Sequence, residues 1–367
     1  MKKLVVIGAN DFQNQLILKA KEKGYETHVF AWKDGSVGEQ TADFFYPVSI
    51  VEKEQILEEC KKIQPDGVIS IASDLASITV NYVSEKLGLT CNGIKSAEIS
   101  TNKYLMRKAF EKNGDPSPLN YRSDEINEEI ISHMKFPLIV KPVDRSGSRG
   151  ITKIQKKEEL KDAIRIAEEV SFDKRAIVEE FIEGQEYSVE YISWQGKHTF
   201  LALTQKFTTG APHFIETGHL QPAEVSDTIL GNIKRIVEHA LDTLGVKFGA
   251  SHSEIKIDQD GTIKIIEIGA RMGGDCIGSD LVKISTGYDF VDMVIDVACG
   301  KEPRFQKVCE PKKARITFLF NEADKKRMDQ IVKEKPECIY RISEIAPFDC
   351  HEVVDSSTRY GYYIMQE

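Results

Sequence analysis

Residues 251–275 read "SHSEIKIDQDGTIKIIEIGARMGGD", two strand-like runs joined at "QDG". Asp260-Gly261 is a hairpin signal, so Glu254 and Glu267 are brought side by side, facing one space. Glu267 is flanked by isoleucines, and an ionised carboxylate in so apolar a strand needs a partner to offset its desolvation. Hard oxygen donors on neighbouring strands suit Mg2+, which takes one or two protein carboxylates plus nucleotide phosphates. The competing reading is a solvent-facing hairpin on which the two glutamates pair with Lys256 and Lys264. Glu254 shares a face with Lys256, but Glu267 lies an odd three positions from Lys264, which on a regular strand turns it the other way.

Upstream, "FPLIV" (136–140) reads as a short buried strand running into "KPVDRSGSRGI" (141–151). Lys141 stands at the strand end as a fixed positive charge, Ser146 and Ser148 offer hydroxyls, and Gly147 and Gly150 permit close backbone approach. Such a loop can hold phosphate; by itself it reads equally well as a serine-rich turn with a surface lysine. Farther on, Glu186, Ser188 and Glu190 alternate with Tyr187, Val189 and Tyr191 along a strand.

With 367 residues, two or three units sharing a cleft are expected. The apolar fraction of 41%, the charged fraction of 29% and the net charge of −9 mark a soluble globular protein without general affinity for nucleic acid or anionic membrane. The apolar run Leu4–Ala9 is too short for a signal peptide, and no stretch reaches the length of a membrane span. Seven cysteines (60, 91, 276, 299, 309, 338, 350) without a CxxC pair disfavour a disulfide framework or zinc site and suit a reducing cytoplasm.

The first hundred residues alternate as parallel βαβ units, with strands in "KLVVIGA", "YETHVFAW" and "DGVISIAS". The first turn, Gly8-Ala9-Asn10-Asp11, lacks the GxGxxG of a dinucleotide site. A helix is expected over 95–113, a boundary at "DPSPLNYRS", and a long helix in "ILGNIKRIVEHALDTLG"; the tail from about 305 has strand-like "ARITFLF" and "RYGYYIM" around a helix at 322–334.

Taken in order, "STNKYLMRKAF", "FPLIVKPVDRSGSRGI", "IVEEFIEGQEYSVE" and "SEIKID…KIIEIGARMGGD" resemble the ATP-grasp superfamily over roughly residues 1–300. The resemblance implies an α/β and α+β protein with an ATP-grasp fold. Its expected parts are a Rossmann-like pre-ATP-grasp domain (1–95), a connecting helix and linker (96–117), a lid subdomain (118–190), a C-terminal ATP-grasp subdomain with the metal site (191–304) and a small accessory α+β tail (305–367). It implies that Lys103 and Lys141 reach the phosphates of ATP under a lid loop of Ser146, Gly147 and Ser148. Glu179, Glu180 and Ile182 are expected at the adenine, Glu186 at the ribose, Glu254 and Glu267 at Mg2+, and Arg271 at the reacting phosphoryl group. Many members carry asparagine two residues after the second metal glutamate; here that position is Gly269, which has no side chain to coordinate a second magnesium ion.

Within the superfamily, "EIGARMGGD", "STGYD" and "FIETGHLQPAE" are most similar to carboxylate–amine ligases of the L-amino acid ligase and carbamoyl phosphate synthase-like group. That implies activation of a small carboxylic acid as an acyl phosphate and its capture by an amine or a thiol. Glu216 and His219 are expected at the amine, and Gly273, Gly274 and Asp275 at the carboxylate; His219 also reads as a capping or core histidine, and Met272 and Cys276 as packing. The resemblance extends to a homodimer, and leaves open a biotin-carboxylase-like or purine-pathway enzyme, or a nucleotide-binding regulatory module without chemistry.

Overall fold

The computed structural model describes residues 2–211, 214–349 and 351–367; Cys350 lies outside them, and the other six cysteines are free. Three sheets organise the chain. The first is parallel, in the order β3-β2-β1-β4, from Lys2–Ile7 (β1), Tyr25–Ala31 (β2), Phe44–Pro47 (β3) and Gly67–Ile69 (β4). Leu4, Val5, Val6 and Ile7 are wholly buried, as a parallel strand covered on both faces requires. Asn10 caps the helix Asp11–Glu22 by accepting from the Gln13 backbone N–H, and the Gln13 side chain in turn accepts from Ile71 N. The first turn is thereby tied to the end of β4.

The second sheet, β5-β8-β6-β7, is antiparallel and comprises Asn120–Arg122 (β5), Leu138–Pro142 (β6), Thr152–Ile154 (β7) and Ala176–Glu180 (β8). The apolar face of helix Leu160–Val170 packs against it. The third, β13-β12-β9-β10-β11-β14-β16-β15, is built from Gln185–Trp194 (β9), Lys197–Thr208 (β10), Glu216–Gln221 (β11), Gly249–Ile257 (β12), Ile263–Gly269 (β13), Ala314–Leu319 (β14), Ile339–Ile342 (β15) and Gly361–Gln366 (β16).

Two expected boundaries cut across this sheet. Residue 190 falls inside β9, which pairs with β10 and β12 rather than with the second sheet. The tail strands β14, β15 and β16 continue the same sheet through the β11–β14 ladder. The N-terminal unit is not separate either: Leu4, Val6 and Ile69 share one apolar core with Ile192, Ala250, Met272 and Phe290.

Two local irregularities position the cleft. The helix expected over 95–113 is broken at Asn102, whose extended backbone ends Ile94–Thr101 and whose side chain caps Lys103–Asn113 by accepting from Leu105 N. On β12–β13 the register shifts between Glu254 and Ile255, so that Glu254 faces Glu267 while Ile255 faces Ile265. The extra residue, Ile266, is a bulge that reverses the parity beyond it. Glu267 therefore lies on the same face as Glu254, Lys256 and Lys264, not the opposite one.

Candidate active site

Between the second and third sheets lies a cleft lined among others by Lys103, Lys141, Ser146, Gly147, Ser148, Glu186, Glu254, Glu267 and Arg271. The break at Asn102 puts Lys103 on the first turn of its helix, where its backbone N–H donates to Val143 O. Its Nζ donates to Arg145 O at 2.7 Å and to Glu267 Oε1 at 3.0 Å. Lys141 Nζ is 2.6 Å from Glu179 Oε2, and Arg107 Nε donates to Glu179 Oε1 at 2.6 Å. Burial by itself would raise the Glu179 pKa, but Arg107 and Lys141 outweigh it and hold the carboxyl below its ordinary value.

Glu179 also lines the cleft, and with side-chain exposure of 1% its carboxylate anchors Lys141. Glu180, which accepts from Leu119 N, and Ile182, whose carbonyl accepts from Lys256 Nζ, remain at the cleft wall. Ser148 and Gly147 take left-handed backbone conformations (φ 59° and 72°) in the turn after β6.

Lys206, which sequence reading did not single out, is the hub of the opposite wall. Its ammonium pairs with Glu254, with Glu186 at 2.9 Å and with Glu216 at 3.7 Å. Burial disfavours its charge, but these carboxylates drive its pKa well above the ordinary value. Glu254 is correspondingly held well below the carboxylate range: burial opposes, and Lys206 and His252 prevail. His252 Nδ1 lies 2.5 Å from Oε1 of the fully buried Glu190, with Nε2 3.5 Å from Glu254. In sequence, Lys206 and His252 stand among other polar residues of their strands, and only the pairing of β9, β10 and β12 brings them together.

Glu254 and Glu267 are cross-strand partners, and among the described residues no group of three or more His, Cys, Asp or Glu side chains is placed to hold a metal ion by itself. A two-carboxylate site fits Mg2+ that completes its shell from phosphate and water.

Arg271, just beyond β13, is held across the molecule by Asp74, with Nε to Oδ1 at 2.7 Å and Nη2 to Oδ2 at 2.8 Å. Asp74 begins the helix Asp74–Leu87 of the N-terminal unit. Burial would raise its pKa, but Arg271 keeps it below the ordinary value.

Residues 134–280 match the family model for the ATP-grasp domain. The chain carries an ATP-grasp domain. Over 311 residues it is 28% identical to an alanine–anticapsin ligase of Bacillus subtilis, covering 75% of this chain and 65% of that relative's own length. It is 27% identical to the D-alanine–D-alanine ligase of Mannheimia succiniciproducens over 76% of this chain and 87% of the relative. The fold superposes on the L-amino acid ligase from Bacillus licheniformis with a TM-score of 0.81 at 22% identity, covering 100% of this chain and 93% of the other. Phosphoribosylglycinamide synthetase from Anaerococcus prevotii gives 0.79 at 22% identity, over 100% and 94%.

Of the expected acid- and amine-binding residues, only Glu216 lines this cleft. It accepts from Ser356 Oγ at 3.0 Å. His219 does not reach the cleft: the side chain is 1% exposed and lies edge-on to Phe318 on the β11–β14 ladder. Gly273 offers no lining group; a Cβ there would stand 2.7 Å from His252 Nδ1 and 3.0 Å from Glu190 Oε2, so its role is to make room for that pair. Gly274 sits against Ala72. Asp275 opens onto a second cavity, bounded by Phe12, Arg149, Phe318 and Tyr362. Arg359 of the tail grips it with two hydrogen bonds of 2.6 and 3.0 Å. Met272 and Cys276 are buried, and burial pushes the Cys276 thiol up to about 12. No helix among the described residues is long and apolar enough to cross a membrane.

Proposed function

We propose that this protein is an ATP-dependent carboxylate–amine ligase that activates a small carboxylic acid as an acyl phosphate and releases ADP and phosphate. The observation that carries the reading is the gathering, in one cleft, of Lys103, Lys141, a serine–glycine turn, the Glu254–Glu267 pair and Arg271. The alanine–anticapsin and D-alanine–D-alanine ligases among its relatives support amino acids as the acid and the amine. The ligands being small, no nucleic acid or membrane partner enters the reading; cytoplasmic work suits the free cysteines, and the homodimer rests on family resemblance.

A carboxylate is a poor electrophile. In the proposed reaction its oxygen attacks the γ-phosphorus and ADP leaves; the amine nitrogen then attacks the carbonyl carbon of the acyl phosphate, the C–O bond to phosphate breaks, and the amine loses a proton. Lys103 and Lys141 compensate phosphate charge, each held by a carboxylate so that little reorganisation accompanies the reaction. Glu180, the backbone at Ile182, and Glu186 receive the nucleoside. Glu254 and Glu267 would hold Mg2+, which when bound neutralises phosphate charge. Arg271 donates to the oxygens on which charge develops. The Ser146–Ser148 turn covers the phosphates and keeps water from hydrolysing the intermediate.

The test is release of ADP and phosphate from ATP and magnesium across a panel of amino acids and small acids, with and without amines, followed by mass spectrometry of active wells. Release that requires both an acid and an amine, with a product lighter than their sum by one water, is the expected result. Stimulation by bicarbonate alone would point to a carboxylase, and ATP binding with no stimulated turnover would leave a regulatory module.

A further inference from the structure

Arg271 is restrained on three sides. Asp74 takes the Nε–Nη2 edge of the guanidinium, and Nη1 donates to Met272 O at 3.2 Å. The third restraint is an empty space: a Cβ at Gly269 would stand 3.0 Å from Arg271 Cζ, 3.1 Å from Arg271 Nε and 3.1 Å from Asp74 Oδ1. Any side chain at 269 would press on the ion pair from below. The exposures of Arg271 and Asp74 are 16% and 18%, so the pair borders the cleft without lying open to water.

We propose that Asp74 is a positioning residue for the reaction and that Gly269 is glycine because the Asp74–Arg271 pair occupies its side-chain space. This rests on the ligase reading of the cleft. A guanidinium carries five N–H donors in a rigid fork. Asp74 and the Met272 carbonyl engage three of them, leaving one N–H on Nη1 and one on Nη2 for an oxyanion in the cleft. Donors fixed before charge develops stabilise it without reorganisation. On its flexible stem alone, Arg271 would have to find that orientation in each turnover. The N-terminal unit thus contributes to the reactive centre through one carboxylate at the start of a helix, about 200 residues away in sequence.

The experiment compares wild type with Asp74→Ala, Asp74→Asn and Gly269→Ala by steady-state ADP release, by calorimetric titration with a non-hydrolysable ATP analogue, and by the 15N-edited Nε–H signal of Arg271, assigned by its absence in Arg271→Lys. Asp74→Ala is expected to lose about 10- to 100-fold in kcat while KM for ATP and the analogue Kd stay within about threefold. The Arg271 signal should vanish by exchange with water. Asp74→Asn, which keeps one acceptor, should recover part of kcat and of the signal, and Gly269→Ala should lose kcat without losing analogue binding. A kcat for Asp74→Ala within about twofold of wild type overturns the proposal. So does a loss confined to KM or to thermal stability, which is what a mere domain tie would give. If wild type releases no ADP with any acid, the ligase reading falls by itself. The Arg271 signal then still decides, and its persistence in Asp74→Ala overturns the positioning role.

Discussion

The side chains on which the cleft depends are mostly salt-bridged pairs whose members come from different strands and helices, and their substitution should separate chemistry from stability. Lys141→Ala is expected to lower ADP release by about 10²- to 10³-fold, with the far-ultraviolet circular dichroism spectrum unchanged. Arg107→Ala should act differently. Arg107 and Glu179 are both fully buried, and removing one partner of such a pair costs about 3–5 kcal/mol, measurable as a lower urea midpoint. His252 makes stability depend on pH. Burial would lower its pKa, but Glu190 and Glu254 raise it from 6.5 to about 9, so its contribution is complete below about pH 6.5 and is lost as pH rises through 9. A decline on the order of 3 kcal/mol across that window is expected from the size of the shift; the thermal midpoint of His252→Gln should be flatter over the same range. Glu254, Glu267 and Lys141 were legible in the sequence because each sits at a strand position with a chemical reason to be charged. Asp74, Arg107 and Lys206 were not, since their partners lie 197, 72 and 48 residues away.

Elements were read well where periodicity was strong and poorly where one residue interrupts it. The helix expected over 322–334 is found at Glu322–Glu334. The helix expected over 95–113 is two, because Asn102 offers its side chain to Leu105 N and ends the first by its own extended backbone. Asn102→Ala removes that cap, so a loss of about 1 kcal/mol is expected. A weaker affinity for the ATP analogue should accompany it, since Lys103 loses its fixed start point; calorimetry would read this directly. The bulge at Ile266 was invisible to an argument from alternation, which assumes a regular strand. With it, the two glutamates share a face and Ile266 itself lines the cleft, its carbonyl accepting from Arg107 Nη2.

For the molecule as a whole, the tail is part of the site's architecture. Asp275 and Cys276 adopt successive left-handed conformations (φ 50° and 61°) and lead into a π-helical turn, Ile277–Leu281, a backbone that persists only where its surroundings enforce it. Two tail arginines supply that enforcement. Arg359 holds Asp275 while lying 3.6 Å over the Phe318 ring, and Arg341 holds Asp280 at 3.1 Å and the Cys276 sulfur at 3.0 Å. Arg359→Ala is expected to lower stability by about 2–3 kcal/mol, read as a fall in the urea midpoint. Sequence patterning found the strands of this tail but not their place, because pairing across 93 to 99 residues leaves no local trace.

Strand β16 is an interior strand of the large sheet, between β14 and β15. Synthesis proceeds from the amino end and folding tends to follow it, yet the turn beside Arg271 is clamped by residues translated 65 and 84 positions later. A nascent chain stalled at residue 335 can therefore contain every side chain of the proposed nucleotide site and still have an unfinished turn beside Arg271.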